Sequence, residues 1–163
     1  MIYIYLEPSA LFKAYIPEQG SDNIEYILSK LGVEFTGITS RWTLLEITRG
    51  FVKRKNLGEL TPKELKEIVA FFLDDINRLL VSRKVKIVDV TKSIIEKSIS
   101  LILSKNLYAA DAIHVQTAVY SGARVMLTDD IHIKRLAKIT PLKIISVELT
   151  KEEFIRQINT LFS

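Results

Sequence analysis

The chain alternates short apolar runs with longer segments of helical periodicity, and this alternation limits its fold more than any other feature. The first run, residues 2–6, is almost continuously apolar, as expected of a strand buried on both faces of a parallel sheet. Further strands are predicted over residues 33–38, 84–90, 124–128 and 143–147. Strands separated by helices require right-handed crossovers. The sequence therefore predicts an α/β fold, a three-layer α/β/α sandwich with a mostly parallel central sheet.

Capping residues mark where the helices between these strands begin. Thr61 is followed by Pro62 and, three residues after the Thr, by Glu64, which together favour a helix start. Helices are predicted over residues 8–15, 22–32, 41–55, 62–80, 92–105, 109–120 and 129–138, with a last helix after Thr150. Because no linker, repeat or change of composition interrupts the pattern, we expect a single domain over residues 1–163.

Composition excludes several classes of site and partner. The 163 residues include no cysteine and two histidines, so thiolate chemistry and three-histidine zinc sites are excluded. A net charge of +4 permits a polyanionic partner without requiring one. No apolar run approaches the ~18 residues of a membrane helix. No basic segment with a following cleavage site begins the chain, so we expect a cytoplasmic protein with no membrane association.

Carboxylates follow the predicted strands at the positions where an open parallel sheet binds its ligands. Glu7 comes directly after the first strand, and Asp129 and Asp130 come directly after residues 124–128. Asp111 is in the first turn of one helix, and Glu46 is in the second turn of a helix that follows a strand. Since ligands of such sheets bind beyond the carboxyl ends of the strands, we expect these side chains to converge.

A cluster of acids needs a counter-charge, because like charges in proximity repel and raise one another's pKa. A divalent cation would neutralise the cluster, and oxygen-only ligands favour Mg²⁺ or Mn²⁺ over zinc or copper. Such ions promote attack of water on a phosphate. The predicted chemistry is metal-assisted hydrolysis of a phosphodiester.

Some of these acids also have ordinary structural interpretations. Asp111 could be a first-turn acid stabilised by the helix dipole, and Glu46 could pair with Arg49 on its own helix. The helix of Asp111 is apolar almost all round, which indicates burial. A buried carboxylate without a partner is costly, so the structural interpretation explains Asp111 poorly.

Structural interpretations are also weighed for the remaining polar candidates. One of Asp129 and Asp130 is expected to cap the following helix. Glu7 is harder to explain structurally, because Glu is a poor cap and a poor strand residue. His114 is interpreted as a hydrogen-bonded structural residue, and Trp42 and the tyrosines as core or rim residues rather than base-stacking platforms.

Five segments in order along residues 1–147 resemble the successive motifs of PIN domains, most closely the VapC-like toxins of prokaryotic toxin–antitoxin pairs. Each motif is weak alone, but their order on an alternating α/β pattern is fairly specific. They are Tyr5-Leu6-Glu7-Pro8-Ser9-Ala10-Leu11, Tyr15-Ile16-Pro17-Glu18-Gln19-Gly20-Ser21-Asp22, Leu45-Glu46-Ile47, Ala110-Asp111-Ala112-Ile113-His114 and Leu127-Thr128-Asp129-Asp130.

The resemblance implies Mg²⁺- or Mn²⁺-dependent cleavage of RNA by four carboxylates. It also implies a homodimer and a small antitoxin encoded nearby, whose segment covers the acidic cleft. The implied metal ligands are Glu7, Asp111 and Asp130, while Glu46 completes the ligand set or orients the attacking water. The implied catalytic residues are Glu7, Glu46, Asp111 and Asp130, with Ser9, Thr128 and Asp129 in supporting positions.

Glu7 departs from the family, which usually has Asp at this position. The extra methylene moves the carboxylate by about one carbon–carbon bond, ~1.5 Å, and Mg²⁺ tolerates little geometric error. One alternative is therefore a degenerate PIN domain that binds RNA or a protein without cutting. A receiver-type phosphoacceptor domain would need paired acids after the first strand. A haloacid-dehalogenase-like phosphatase would need Asp-x-Asp there, and neither pattern is present.

Overall fold

The strands of the computed structural model, which describes residues 1–136 and 141–162, form one parallel sheet in the order β3-β2-β1-β4-β5. At the centre of this sheet, Ile4 of β1 pairs with Gly37 of β2 on one side and Val125 of β4 on the other. The strand order reverses between β1 and β4, which creates the crevice where such sheets bind ligands. The strands are β1 (Ile2–Leu6), β2 (Phe35–Ser40), β3 (Val85–Val88), β4 (Val125–Thr128) and β5 (Lys143–Ser146).

Helices cover both faces of the sheet and confirm the predicted three-layer α/β/α sandwich. Ile4 and Leu6 of β1 belong to a core cluster on one face, and Tyr5 between them belongs to a second cluster on the other face. The helices are α1 (Pro8–Phe12), α2 (Ser21–Lys30), α3 (Arg41–Asn56), α4 (Pro62–Val81), α5 (Lys92–Lys105), α6 (Ala109–Tyr120), α7 (Ile131–Lys134) and α8 (Lys151–Asn159).

The predicted caps are confirmed, and the errors in the sequence prediction lie at element boundaries. Thr61 and Glu64 form the capping box that begins α4. The strand predicted over residues 33–38 lies instead at Phe35–Ser40, because Gly32 adopts a left-handed φ of 85° in the turn before it. The helix predicted over 8–15 ends at Phe12. The helix predicted over 129–138 occupies Ile131–Lys134, and residues 137–138 are outside the described residues.

Within residues 1–136 and 141–162, none of the helices is long and apolar enough to cross a membrane.

Candidate active site

Glu7 leaves the end of β1 and becomes the N-cap of α1. Its Oε2 accepts hydrogen bonds from Ser9 N at 3.0 Å, from Thr128 Oγ1 at 2.9 Å and from the Ser9 hydroxyl. The sequence does not predict this cap, because Glu rarely caps. The structure corrects that expectation, since the extended backbone at Glu7 lets its side chain fold back to the first turn.

Ser9 and Thr128 tie the turn after β1 to the turn after β4. Ser9 Oγ accepts from Asp129 N at 2.8 Å, and Thr128 Oγ1 accepts from Asp130 N at 3.0 Å. Each hydroxyl also donates to Glu7. The two hydroxyls therefore hold the buried Glu7 carboxylate against the β4–α7 turn, at the crevice where the strand order reverses.

Burial dominates the electrostatics of Glu7. It raises the pKa of this carboxyl to about 6, although His114 and the hydrogen bonds from Ser9 and Thr128 act to lower it. A carboxylate at this position is consequently easier to charge when a cation lies beside it.

Asp130 caps α7, which confirms that one of the two adjacent aspartates begins this helix. Its Oδ1 accepts from His132 N at 2.6 Å and from Ile133 N at 3.2 Å. The cap fixes the direction of the Asp130 side chain at the carboxyl end of β4.

Asp111, in the first turn of α6, has a buried oxygen, Oδ2, that has no hydrogen-bond partner in the described part of the chain. Burial raises the pKa of its carboxyl to about 6, and the charges of Asp130 and Glu46 act in the same direction against His114 and His132. The charges of Asp130 and Glu46 thus add to the effect of burial on the Asp111 carboxyl.

Glu46, on α3, is the first of three side chains that hydrogen bonds join in series, Glu46, His114 and Tyr5. Its Oε2 lies within hydrogen-bond distance of His114 Nε2, and His114 Nδ1 lies 2.7 Å from the hydroxyl of the fully buried Tyr5. Because a carboxylate only accepts, we assign the Nε2–H tautomer to His114 and the donor role to the Tyr5 hydroxyl.

The Tyr5–His114–Glu46 chain confirms the interpretation of His114 as a hydrogen-bonded structural residue. It also gives Glu46 a partner other than the Arg49 of the sequence alternative. Sequence reasoning did not connect His114 to Glu46. The sequence shows that His114 lies about one turn from Asp111 on α6, but it carries no signal for the contact with Glu46 on α3.

A second charged group, which we call the lysine network, lies beside these acids and comprises Lys13, Glu18, Asp129, Lys134 and Glu148. The Lys13 ammonium is buried and lies 3.1 Å from Asp129 Oδ2, 3.4 Å from Glu18 Oε2 and 3.7 Å from Glu148 Oε1. Lys134 Nζ is 3.2 Å from Asp129 Oδ1.

The lysine network lowers the pKa of the Asp129 carboxyl. Burial acts to raise the pKa of its carboxyl, but contacts with Glu148, Lys13 and Lys134 outweigh it and hold the pKa below its usual range. Asp129 is thus already paired with the ammonium groups of Lys13 and Lys134. Nothing in the sequence near Lys13 indicates that its ammonium would be buried, so the sequence does not predict this network.

The donor chemistry of the candidate site fits a hard divalent cation. The donors are carboxylate oxygens, and one oxygen of Asp111 is buried without a partner among the residues that the structure describes. Burial also raises the pKa of Glu7 and Asp111. In their described positions, no three His, Asp or Glu side chains among residues 1–136 and 141–162 form a ready-made cation site. Binding of a cation there would require these carboxylates to move closer together.

A cleft of about 500 Å³ lies along α3. Glu46 of the candidate site lines it, together with Ser9, Asp129, Lys53 and Arg54. The cleft thus joins the candidate site to cationic side chains.

The PIN domain family matches residues 4–139, and the chain belongs to that family. A search of the curated proteins found no match.

Solved structures with the same fold include several toxin–antitoxin proteins. The structure of PAE2754 from Pyrobaculum aerophilum is 17% identical with a TM-score of 0.59, and the match covers 97% of this chain and 98% of that one. VapBC2 from Rickettsia felis, bound to a DNA fragment from their promoter, is 21% identical with a TM-score of 0.57, over 90% and 98% of the two chains. Mycobacterium tuberculosis VapC20, a Sarcin-Ricin loop cleaving toxin, is 13% identical with a TM-score of 0.60, over 85% and 98%.

Proposed function

We propose that this PIN domain is a VapC-like toxin, a metal-dependent endoribonuclease that hydrolyses RNA phosphodiester bonds in the cytoplasm. The observation that carries the proposal is the buried Oδ2 of Asp111, which has no hydrogen-bond partner among residues 1–136 and 141–162, on a carboxyl where the charges of Asp130 and Glu46 also act. A carboxylate in such a place is costly unless something binds it. Among solved structures with this fold, VapC20 is a toxin that cleaves the Sarcin-Ricin loop, which supports RNA as the substrate.

Glu7, Asp111 and Asp130 would hold a Mg²⁺ or Mn²⁺ ion. When bound, the ion supplies positive charge that stabilises phosphate oxygens and makes water easier to deprotonate. Ser9 and Thr128 hold the Glu7 carboxylate in position through their hydroxyls. Asp129 supports the site indirectly, by anchoring the β4–α7 turn to Lys13.

Glu46 would orient the attacking water. Its Oε2 is held by His114, so Oε1 is the oxygen that would accept a proton from that water or complete the ligand set. His114 is in turn held by Tyr5. The chain of hydrogen bonds thus fixes the direction of the Glu46 carboxylate before substrate binds.

The proposed partners follow from the fold and the surface. Solved proteins with this fold include VapBC2 and a toxin–antitoxin complex from Klebsiella pneumoniae, which supports a small antitoxin for this chain. The antitoxin would cover the acidic cleft with an Arg or Lys that meets the carboxylates. Exposed apolar side chains on α5, such as Ile95, Ile99 and Leu103, support a homodimer.

A second candidate function is a PIN domain that binds RNA or a protein without cutting. The absence of a ready-made cation site among residues 1–136 and 141–162 favours it, as does the longer side chain of Glu7. The two functions differ in whether divalent ions change the RNA.

Cleavage of single-stranded RNA with added Mg²⁺ or Mn²⁺ tests the proposal. We expect the wild type to cleave the RNA. Asp111→Asn should cleave it more than about 100-fold more slowly, which exceeds the usual effect of replacing a residue that contacts a metal ligand but not the metal itself. Asp22→Asn is the matched control, because Asp22 is also a first-turn acid, on α2. Absence of cleavage by the wild type with either ion would overturn the nuclease and leave the binding module.

A further inference from the structure

A second cleft, of about 530 Å³, opens where the end of α5, the start of α6 and α7 meet. Lys105 lies in the last turn of α5, Tyr108 is the N-cap of α6, and His132 and Arg135 come from α7 and its C-cap. None of these four residues is one of the candidate-site acids or a member of the lysine network.

The cleft has an aromatic wall. The Tyr108 side chain is 69% exposed, although it is large and partly apolar. Its ring meets the ring of His132 edge to face, with centroids 5.2 Å apart and planes at 88°. This contact orients the Tyr108 ring without stacking on it, so the ring remains accessible to a planar group.

The cleft also has a cationic rim. Lys105 and Arg135 carry positive charge, and none of the described residues that line the cleft is acidic. The cleft beside α3 differs in this respect, because Glu18, Glu46 and Asp129 line it. A cavity with an exposed aromatic ring and two cations suits a ligand that has both a planar ring and an anionic group.

The cleft adjoins the proposed catalytic carboxylates. Tyr108 lies about one helical turn before Asp111 on α6, and His132 follows Asp130 by two residues. His132 N donates to Asp130 Oδ1 at 2.6 Å, which ties this residue of the cleft to one of the carboxylates. A chain of nucleotides whose phosphate lies at the carboxylates would reach this cleft with a neighbouring nucleotide.

We propose that this cleft is a nucleotide subsite, in which Tyr108 stacks on a base and Lys105 and Arg135 bind the adjoining phosphate. The inference rests on the proposed function and names its substrate as single-stranded RNA. A base inside a duplex is already stacked on its neighbours and is not free to lie against Tyr108. Tyr108 then serves as a base-stacking platform, contrary to the interpretation of the tyrosines as core or rim residues from the sequence.

Binding of a fluorescein-labelled single-stranded RNA, measured by anisotropy in excess chelator so that no cleavage occurs, tests the subsite. We expect Tyr108→Ala to weaken binding about tenfold and Tyr108→Phe to bind as the wild type does, since stacking needs only the ring. Tyr120→Ala is the matched control, because Tyr120 is also exposed and lies at the other end of α6. Thermal unfolding verifies that each variant is folded.

Two further probes separate stacking from other contacts. With an RNA whose bases are replaced by abasic sites, we expect Tyr108→Ala and the wild type to bind equally. With duplex RNA of the same sequence, Tyr108→Ala should likewise make no difference. Equal binding of single-stranded RNA by Tyr108→Ala and Tyr120→Ala would overturn the subsite, as would equal losses in Tyr108→Ala and Tyr108→Phe.

The proposal of a nucleotide subsite and the proposal of a nuclease can each be contradicted without the other. If RNA is cleaved but Tyr108→Ala leaves the Kd and KM unchanged, the subsite is wrong and the nuclease stands. If Tyr108 supports binding but no cleavage occurs with Mg²⁺ or Mn²⁺, the nuclease is wrong and the subsite stands. If the wild type binds no RNA, or if the RNA-binding loss follows Lys105→Ala and Arg135→Ala but not Tyr108→Ala, the stacking proposal is wrong.

Discussion

Two neighbouring groups of acids at the carboxyl edge of the sheet differ in what neutralises them. In the lysine network, Asp129 has two ammonium groups within salt-bridge distance, and its pKa lies below the usual range despite burial. In the candidate site, Glu7 and Asp111 are partly or fully buried, and no Lys or Arg in the described part of the chain forms an ion pair with either of them. Their pKa values rise to about 6. Asp129 and Asp130 are adjacent in sequence, yet they belong to different groups.

The difference shows that position at the edge of a parallel sheet is not enough to identify a ligand-binding acid. An acid with its own lysines contributes to stability and has little to gain from a cation. An acid that is buried without a neighbouring lysine destabilises the folded state when it is charged. A bound cation removes this destabilisation. The predictions that follow each test one side of this comparison.

Removal of the Lys13 ammonium should have the largest effect on stability. Lys13→Met removes three charged contacts, to Asp129, Glu18 and Glu148, while Lys134 and Arg54 remain beside these acids. We expect a loss of about 3 kcal/mol in the free energy of unfolding. Urea denaturation near neutral pH measures it. The control is Lys92→Met, because Lys92 pairs with Glu96 on the surface and such pairs contribute less than about 1 kcal/mol. Equal losses in both variants would mean that Lys13 contributes no more to stability than a lysine in an exposed surface pair.

Stability of the metal-free protein should fall as pH rises from about 4.5 to about 7. Burial raises the pKa of Glu7 to about 6 from its ordinary value of 4.5, so the folded state binds more protons than the unfolded state in this window. The contribution of Glu7 is therefore present at low pH and lost as the carboxyl ionises, by about 2 kcal/mol. The pKa of Asp111 is raised in the same direction.

Urea denaturation in excess chelator, at about pH 5 and about pH 7.5, measures this dependence for the wild type and Glu7→Gln. We expect the Gln variant to lose less stability across the window, because its side chain does not ionise. The lysine network should act at lower pH and with the opposite sign, since the pKa of Asp129 is lowered. Identical pH slopes in the two proteins would contradict the assignment of the raised pKa to Glu7.

Loss of the Tyr5 hydroxyl should cost about 1–2 kcal/mol of stability and slow RNA cleavage. Tyr5→Phe leaves the buried His114 Nδ1 without its donor, and His114 then holds Glu46 less firmly. Tyr3→Phe removes a hydroxyl that contacts the exposed Lys86 and serves as the control. Nitrogen-15 NMR of His114, assigned by replacement of His132, reports the tautomer directly. An unchanged His114 spectrum in Tyr5→Phe would contradict the hydrogen-bonded chain.

Glu7→Asp should give the smallest effect, a severalfold gain in Mg²⁺-dependent cleavage. Asp is the family's usual residue here and is also a good N-cap, so the bond to Ser9 N is expected to persist. The ratio of the Mg²⁺ and Mn²⁺ rates measures the change, because Mg²⁺ is the ion less tolerant of geometric error. A lower rate with both ions would show that the chain is adapted to the longer Glu7.

Local and periodic features of the sequence predict most of the fold. The caps at Thr61, Thr91 and Thr150 mark helix starts because they act within one turn, and the buried strands are marked by their apolar runs. The β2 boundary is missed because the turn at Gly32 competes with the apolar Val33, which is exposed in the structure.

The candidate site is predicted in part, for a physical reason. Strand ends and first turns are local features, and they identify Glu7, Asp111 and Asp130. The partners of these acids come from distant positions in the chain. The bond from His114 to Glu46 joins α6 to α3, and the contact of Lys13 with Asp129 joins the end of α1 to the end of β4. Such pairings depend on tertiary packing, which no single segment of sequence encodes.

Thermal unfolding with and without Mn²⁺, for the wild type, Asp111→Asn and Glu148→Gln, tests the central claim most directly. Each variant removes one negative charge, the first from the candidate site and the second from the lysine network. We predict that Mn²⁺ at tenfold excess over its Kd stabilises the wild type and Glu148→Gln by about 1.4 kcal/mol and leaves Asp111→Asn unchanged. Without the ion, Asp111→Asn should be as stable as the wild type or more so, since a repulsive charge is gone. Equal stabilisation of Asp111→Asn by Mn²⁺, or none in any of the three proteins, would contradict the account.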